Sequence, residues 1–207
     1  MTDYDQKIKV FMKDQLLDLR NIKILEFGVE RGRSTKIFLD LCKNNNGELY
    51  SVDIKDCSQL FKDTKWNFIK SRDDNFDYVK NKIPKEFDVI YLDTIHEANH
   101  VEKIFYNYFD LLKIGGEFYI DDISWLPYLK SKERNSFYCE INNKETFQRL
   151  LDIYNNNLEN FDIYFTFLSS GMCRIVKKKN ELKKSYKITT REISLKNFLR
   201  KLLGKGI

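Results

Sequence analysis

The sequence predicts an α/β fold: a doubly wound, mostly parallel sheet of seven strands that ends in an antiparallel hairpin, with helices on both faces. Short apolar runs alternate with amphipathic segments from residue 21 to residue 121, which is typical of parallel strands joined by helices. Further on, the apolar runs 161–168 and 172–176 are separated only by Ser169-Ser170-Gly171. That connection is too short for a parallel crossover, so these runs should form the hairpin.

An N-terminal helix is predicted ahead of this alternating region. Apolar side chains recur at helical spacing within residues 1–20, so the segment should form an amphipathic helix packed on the core. The side chains of its apolar face are Ile8, Phe11, Met12, Leu16 and Leu19.

Apolar runs and turn residues define the elements of the alternating region. Runs of β-branched and aromatic residues predict strands, and apolar residues at helical spacing predict helices. Glycine, proline and asparagine clusters mark their ends. The predicted strands are 22–27, 49–54, 66–69, 87–93 and 117–121, and the predicted helices are 34–43, 75–82, 99–112 and 144–154.

The charge is distributed unevenly along the chain. Residues 177–207 contain 11 Lys/Arg and 2 Asp/Glu, a net charge of +9, whereas the residues before them contain 25 Lys/Arg and 29 Asp/Glu, a net charge of −4. We therefore expect three parts: the helix of residues 1–20, a core domain over 21–176 and a basic tail over 177–207. Because the core is acidic, no nucleic acid partner is expected.

The basic tail is predicted to have two parts. Its lysine-rich beginning should be mobile as far as Thr190. Its end predicts a basic amphipathic helix, for which three roles are open: packing on its own domain or on a second subunit of a homodimer, contact with an anionic membrane, and docking on a partner. The apolar face carries Leu195, Phe198, Leu199, Leu202 and Leu203, and the basic face carries Lys196, Arg200, Lys201 and Lys205.

The composition indicates a cytoplasmic protein, peripheral to the inner face of the membrane if the tail helix binds lipid. No apolar run approaches the roughly 18–20 residues of a membrane span, and the acidic, polar start is unlike a signal peptide. The four cysteines form no CxxC pair, so we expect reduced packing residues and neither a disulfide framework nor a cysteine zinc site.

A glycine turn between the first strand and the helix after it indicates a nucleotide-cofactor loop. The strand closes on Phe27, Gly28 and Gly32 follow, and the helix opens at Ser34. Such a turn lets the backbone approach a ligand closely and leaves the first helical amides free to bind it. The dinucleotide fingerprint GxGxxG would need glycines where Glu30 and Arg33 stand, so a dehydrogenase is not predicted.

The pattern Glu26-x-Gly28-x-x-x-Gly32-x-Ser34, with Asp53 at the end of the second strand, resembles the class I S-adenosylmethionine-dependent methyltransferases. It is most similar to their small O-methyltransferase branch, and the fold implied is Rossmann-like. The resemblance implies that Gly28 and Gly32 lie under the methionine part of S-adenosylmethionine, Glu26 near its amino group and Asp53 on the ribose. The flanking residues Phe27, Ser34 and Ile54 complete this part of the expected cofactor site.

Asp73 follows the third strand, at the usual adenine edge of this cofactor's site. It is a candidate acceptor for the adenine amino group and equally a candidate cap for the next helix.

Carboxylates also end the fourth and fifth strands. Asp93 follows one, and Asp121 and Asp122 follow the other. Neighbouring parallel strands would bring these oxygen donors together, which suits a hard cation such as Mg²⁺. Metal-dependent catechol-type O-methyltransferases hold their ion at the matching places, and strand-end capping or ion pairing is the alternative. Asp93 is expected to contact the cofactor and to take part in catalysis as well.

His96 resembles the histidine of sugar and macrolide O-methyltransferases and the related cephalosporin-hydroxylase-like proteins. Their D-G-x-H, L-L-K-P-G-G and aspartate-ended strand match D-T-I-H at 93–96, L-L-K-I-G-G at 111–116 and F-Y-I-D-D at 118–122. The resemblance implies that His96 is the base that takes the proton of the acceptor. Thr94, Ala98 and Ile104 depart from the family pattern and leave the acceptor class open.

His96 to His100 also spell HExxH, the zinc protease motif, in which the two histidines would bind zinc and Glu97 would be the base. That motif must lie inside a helix, whereas His96 comes just after a strand, and His100 is otherwise expected on the helix surface. Trp125, Tyr128 and Tyr138 are candidate walls of an acceptor pocket or simple packing residues.

Together these patterns predict an S-adenosylmethionine-dependent O-methyltransferase acting on a hydroxyl of a sugar, glycan or other small molecule, with assistance from His96 and a divalent cation such as Mg²⁺. The alternatives are an HExxH zinc hydrolase and an inactive domain that only binds the cofactor.

Overall fold

A computed structural model describes residues 3–126, 137–188 and 194–204. Seven strands form one sheet in the order β3-β2-β1-β4-β5-β7-β6. Neighbouring strands from β3 to β5 are parallel, and β7 is antiparallel to both β5 and β6. The predicted fold is therefore confirmed, including the hairpin. The strands are β1 (Lys23–Phe27), β2 (Glu48–Asp53), β3 (Trp66–Lys70), β4 (Phe87–Leu92), β5 (Leu112–Asp121), β6 (Phe161–Thr166) and β7 (Met172–Lys177).

The helices cover both faces of this sheet. At the N-terminus, two short α-helices flank a π-helical stretch over Lys7–Lys13, and a 3-10 turn over Phe109–Leu111 leads into β5. The α-helices are α1 (Asp3–Gln6), α2 (Asp14–Leu16), α3 (Arg33–Asn44), α4 (Phe76–Lys80), α5 (Ala98–Tyr108), α6 (Phe137–Asn155) and α7 (Leu195–Leu202).

Two apolar clusters, one on each face, hold the sheet between the helices. Successive side chains of a strand point to opposite faces; in β1, Leu25 packs with the residues of α5 and α6, whereas Ile24 packs with those of α3 and the N-terminal helices. The N-terminal segment contributes Ile8, Met12 and Leu16 to the second cluster. Leu19 lies beyond the end of α2 and is partly exposed, so it is not part of the packed face.

Strand β5 begins earlier than the sequence predicts. The pair Gly115-Gly116 was expected to end a helix reaching Leu112, but α5 ends at Tyr108 and both glycines lie inside β5. The pairing with β4 shifts between Phe87 and Val89, where the partners jump from Leu112 to Glu117. Gly115 has a φ of +81°, so the glycines absorb a bulge that a helix pattern does not reveal.

The lysine-rich beginning of the tail is anchored to the domain, and the expectation of mobility is wrong for residues 178–188. The amides of Lys178 and Lys179 donate to the carbonyl of Asn160, and the Tyr186 amide donates to the carbonyl of Asp152. The Ile188 amide donates to the Asp152 carboxylate at 2.8 Å. Backbone hydrogen bonds to α6 and to the loop after it therefore hold this segment, while Thr190 lies outside the described residues.

Candidate active site

A cavity of about 440 Å³ opens at the carboxyl ends of the parallel strands, where α/β sheets bind their ligands. Loops after β1, β2, β3 and β4 form its walls, and Tyr4 from the N-terminal helix closes one side. The Tyr4 ring also contacts the guanidinium of Arg33, whose central carbon lies 4.0 Å from the ring centroid. Tyr4 was not predicted, because an aromatic residue near a chain terminus carries no signal for a cavity.

The two glycines of the loop after β1 have different roles. Gly28 lines the cavity with a φ of +94°, and a Cβ added there would lie 1.9 Å from the carbonyl oxygen of Asp93. Gly28 therefore permits close contact between the ends of β1 and β4. Gly32 caps α3 with a φ of +75°, and its Cβ would collide with the ring of Phe61. Gly32 shapes the turn but is not among the cavity-lining residues.

Asp53 fastens the glycine loop to the end of β2. Its Oδ2 accepts hydrogen bonds from the amides of Val29 at 2.8 Å and Glu30 at 3.1 Å, and its Oδ1 accepts one from the amide of Lys55. Asp53 and its exposed neighbour Ile54 both line the cavity. The carboxylate thus holds the loop while still facing the space expected for the ribose.

Glu26 lies behind the cavity wall instead of in it. It is fully buried and accepts hydrogen bonds from the hydroxyls of Ser34 at 2.6 Å, Thr35 at 2.8 Å and Ser51 at 2.6 Å. Burial raises the pKa of Glu26 to about 7 despite these bonds. Ser34 lines the cavity, whereas Phe27 packs in the core against Tyr108. In the sequence pattern, Glu26 and Phe27 cannot be distinguished from residues that face a ligand.

Asp73 lines the cavity with a carboxylate that is held on two sides. Its Oδ2 accepts from Thr94 Oγ1 at 2.5 Å and lies 2.7 Å from His100 Nε2. Burial would raise the pKa of Asp73, but the hydrogen bonds from His100 and Thr94 outweigh it and keep that pKa below its usual value. His100 is almost buried, so its expected place on the helix surface is wrong. Thr94, which departs from the family pattern, donates one of the hydrogen bonds that hold Asp73.

Asp93, His96 and Asp122 converge beside this cavity. His96 Nε2 lies 3.6 Å from Asp93 Oδ1 and 3.4 Å from Asp122 Oδ2. One ligand atom of each residue lies within 4.8 Å of the others, and no other such group of His, Cys, Asp and Glu occurs within residues 3–126, 137–188 and 194–204. The backbone of Asp122 has a φ of +58°. This left-handed conformation is uncommon outside glycine and recurs at functional sites.

Asp121, the third predicted metal ligand, lies outside this group. It is buried and forms an ion pair with Lys7, which is itself fully buried. It also accepts a hydrogen bond from Tyr91 at 2.8 Å, and Lys7 donates to Ser170 at 2.9 Å. A carboxylate already paired with an ammonium group is a poor ligand for a second cation. Lys7 was missed because a lysine beside an apolar helix face normally points to solvent.

Asp93 and Asp121, at the ends of two neighbouring strands, differ in their electrostatic surroundings. Burial, and then the negative charges of Asp121 and Asp122, raise the pKa of Asp93 well above its usual value. Burial opposes the ionisation of Asp121 as well, but the charge and hydrogen bond of Lys7 prevail and lower its pKa. A bound cation would therefore stabilise the ionised form of Asp93.

The two histidines of the HExxH pattern do not share a site. His96 precedes α5, which begins at Ala98, whereas His100 lies inside it. His96 faces Asp93 and Asp122, and His100 contacts Asp73. A zinc protease site needs both imidazoles on one ion, and this arrangement separates them.

The aromatic residue after β5 packs against the end of the sheet. The Trp125 ring lies 4.7 Å from Phe147 and 5.6 Å from Phe167 between centroids. Tyr128 and the side chain of Tyr138 lie outside the described residues, so the structure says nothing of them as acceptor walls.

Comparison with known proteins identifies a methyltransferase-domain model that matches the part of the chain containing this site. Residues 25–123, just under half of the chain, match a family model described as a methyltransferase domain. That segment carries the glycine loop, Asp53, Asp73, Asp93, His96 and Asp122. No curated protein matches the chain.

Solved structures of several methyltransferases share the fold. The chain is similar to SAH-bound PaMTH1 from Podospora anserina, with 16% identity, a TM-score of 0.62 and coverage of 76% of this chain and 72% of that one. It is similar to MycE of the mycinamycin biosynthetic pathway, in complex with Mg, SAH and mycinamycin VI, with 19% identity, a TM-score of 0.56 and coverage of 90%. The chain spans only 50% of the length of MycE.

A third similar structure comes from Staphylococcus aureus and is assigned as a caffeoyl-CoA O-methyltransferase, with 16% identity, a TM-score of 0.59 and coverage of 84% of this chain and 82% of that one. The family match and the shared fold confirm the resemblance to the class I S-adenosylmethionine-dependent methyltransferases. Residues 25–123 match a methyltransferase-domain model, and the described chain shares the fold of these methyltransferases.

Proposed function

We propose that the protein transfers a methyl group from S-adenosylmethionine to a hydroxyl of a sugar, glycan or other small molecule. The group formed by Asp93, His96 and Asp122 carries this proposal, because it places an imidazole between two carboxylates at the mouth of the cofactor cavity. This proposal is supported by MycE, which shares the fold and forms a complex with Mg, SAH and mycinamycin VI.

The cavity wall supports a specific orientation of the cofactor. Gly28 lines the cavity beside the end of β4, where the methionine part of the cofactor would lie. Asp53 presents its carboxylate to the ribose, and Asp73 lies on the side where the adenine amino group is expected. The reactive methyl group would then point toward Asp93 and His96, which line the same cavity.

His96 acts as the base in this mechanism. It would accept the proton of the acceptor hydroxyl, while bound S-adenosylmethionine would supply the methyl group to that oxygen and leave as the neutral thioether. Asp93 and Asp122 on either side of His96 stabilise the imidazolium that results. Most of the rate enhancement comes from holding both substrates in this geometry.

The donor set also fits a divalent cation. Two carboxylates with ligand atoms within 4.8 Å of each other and of the His96 imidazole suit Mg²⁺ or Mn²⁺. Burial, and then the negative charges of Asp121 and Asp122, raise the pKa of Asp93, and a cation would offset that negative charge. Asp93 and Asp122 would hold the ion through their carboxylate oxygens, and His96 beside them would remain free to act as the base. When bound, it would lower the pKa of an acceptor hydroxyl.

Calorimetry with S-adenosylhomocysteine, with and without Mg²⁺ and with EDTA, tests the cofactor assignment. Binding should survive EDTA, because the residues assigned to the cofactor are distinct from the cation group except for Asp93. Absence of binding under every condition would refute the proposal. Stoichiometric zinc in the purified protein would mean that the group of Asp93, His96 and Asp122 holds zinc instead of Mg²⁺.

The variant His96→Ala tests the chemistry on a panel of hydroxylated acceptors. Turnover should fall by about 10²–10⁴-fold, as for loss of a general base, while the affinity for S-adenosylhomocysteine stays nearly unchanged. Undiminished turnover would remove His96 from the mechanism. Cofactor binding by the wild type without turnover on any acceptor would favour a binding-only domain.

A further inference from the structure

The helix α7 presents an apolar face that nothing in the described chain covers. Its five large apolar side chains are between 48% and 74% exposed, whereas the core residues of the domain are at most 8% exposed. They recur at positions i, i+3, i+4, i+7 and i+8, so all of them lie on one side of the helix. They are Leu195, Phe198, Leu199, Leu202 and Leu203.

The rest of the helix is basic. Residues 194–203 contain three basic residues and no acidic ones, and all three are exposed. These are Lys196, Arg200 and Lys201. The helix begins after Ser194, whose hydroxyl accepts the Asn197 amide at 3.3 Å, so it has its own N-cap.

The charge of the helix decides between the surfaces that could cover it. A second copy of α7 would bring two apolar faces together but would also bring like charges together without any acidic partner. An anionic lipid surface accepts both faces at once, because the apolar side chains enter the acyl boundary and the basic side chains remain among the head groups. No helix of the described ranges is long and apolar enough to cross a bilayer, so contact would be confined to the surface.

We propose that α7 binds the protein to an anionic membrane surface. The anchored segment before it keeps the domain close to that surface. The Ile188 amide donates a hydrogen bond to Asp152 of α6, and the five residues that connect Ile188 to Ser194 allow a separation of at most about 22 Å. The catalytic domain would therefore work next to the bilayer, where an acceptor carried on a lipid would be concentrated.

Co-sedimentation of the full chain with lipid vesicles tests this inference. The protein should bind mixed phosphatidylcholine–phosphatidylglycerol vesicles, release them as salt is raised, and bind pure phosphatidylcholine vesicles weakly. Equal binding to both vesicle types, or binding to neither, would overturn the proposal. The readout involves no methyl transfer, so it is independent of the proposed activity.

Point variants separate the helix from the rest of the surface. Leu199→Ser should lower vesicle binding about tenfold or more, whereas Ile114→Ser, which changes an apolar residue that is 63% exposed on the domain, should leave it unchanged. Lys201→Gln should lower it about fivefold, and Lys85→Gln, at an exposed lysine of the domain, should not.

The same variants distinguish a protein partner from a membrane. In one outcome, the wild type binds neither vesicle type and Leu199→Ser converts a dimer to a monomer in solution. The helix then pairs with a second copy, and the proposal fails. If Leu199→Ser binds anionic vesicles as well as the wild type does, α7 is not the membrane contact and the proposal fails as well.

Discussion

Two buried carboxylates at the same edge of the sheet are stabilised in opposite ways. Glu26 at the cofactor side is surrounded by three hydroxyl groups, and its pKa rises to about 7. Asp121 at the acceptor side is paired with the ammonium of Lys7, and its pKa is lowered. Hydroxyl groups offer hydrogen bonds but no charge, so they only partly offset desolvation, whereas an ammonium more than offsets it.

The difference between Glu26 and Asp121 shows how the strand ends along one edge of the sheet can perform two tasks. On the cofactor side, Glu26 joins the ends of β1 and β2 to the start of α3 and thereby shapes the glycine loop. On the proposed acceptor side, Lys7 of the N-terminal segment neutralises Asp121, whereas Asp93, His96 and Asp122 remain outside that ion pair. In both places the buried carboxylate does not line the cavity but holds together the elements that form it.

The largest effect is expected from breaking the acceptor-side pair. Lys7→Met would leave Asp121 buried without its cation, and we expect a loss of about 3–5 kcal/mol in the free energy of unfolding. Chemical denaturation measures it, with Lys9→Met as the control because Lys9 is exposed. Adding Asp121→Asn to Lys7→Met should recover part of the loss. A loss below that of the control would mean that the ion pair does not support the fold.

The next largest effect is expected from a change at Gly28, where the end of β1 contacts the end of β4. Gly28→Ala would force a Cβ onto the carbonyl of Asp93 and strain a φ of +94°, which together should cost about 3 kcal/mol of stability. Gly115→Ala is the matched control, since its φ is also positive but nothing lies within 4 Å of its Cβ; about 1 kcal/mol is expected there. Equal losses would show that contact with Asp93 has no role.

The cofactor-side carboxylate should produce a pH dependence. Because the pKa of Glu26 is raised from 4.5 to about 7 in the folded state, its contribution to stability is full below pH 4.5 and disappears as the pH rises through about 7. Wild type should lose about 2–3 kcal/mol over that range relative to Glu26→Gln, which cannot ionise. Denaturation at pH 5 and pH 8 measures it, and a pH-independent difference between the two proteins would contradict the assignment.

The smallest effect concerns the histidine beside the cofactor cavity. His100→Ala removes one donor from Asp73 while Thr94 remains, so the affinity for S-adenosylhomocysteine should fall about tenfold, or about 1–2 kcal/mol. Asn99→Ala, at an exposed neighbour on α5, is the control. Calorimetry distinguishes this outcome from His96→Ala, which should affect turnover instead. If His96→Ala and His100→Ala both lower only the cofactor affinity, or both lower only the turnover, the two sides are not separate.

Local patterns predicted most of the fold. The alternation of strands and helices led to the parallel sheet, and the three-residue connection after Leu168 led to the hairpin, because both depend on hydrophobic periodicity and loop length. The start of β5 was missed because its bulge at Gly115-Gly116 depends on pairing with β4. The anchoring of residues 178–188 was missed for the same reason, since lysine-rich composition does not reveal backbone hydrogen bonds to α6.

By itself, the sequence determined which strand ends carry Gly28, Asp53, Asp93, His96 and Asp122, because strand order and spacing place them at one edge. Tertiary structure alone decided which carboxylates face the cavity. Glu26 and Asp121 belong to the same motifs but are held by Ser51 and Lys7 from elements 25 and 114 positions away in the chain. The partner that neutralises a buried charge is chosen by three-dimensional packing, and no local pattern contains that information.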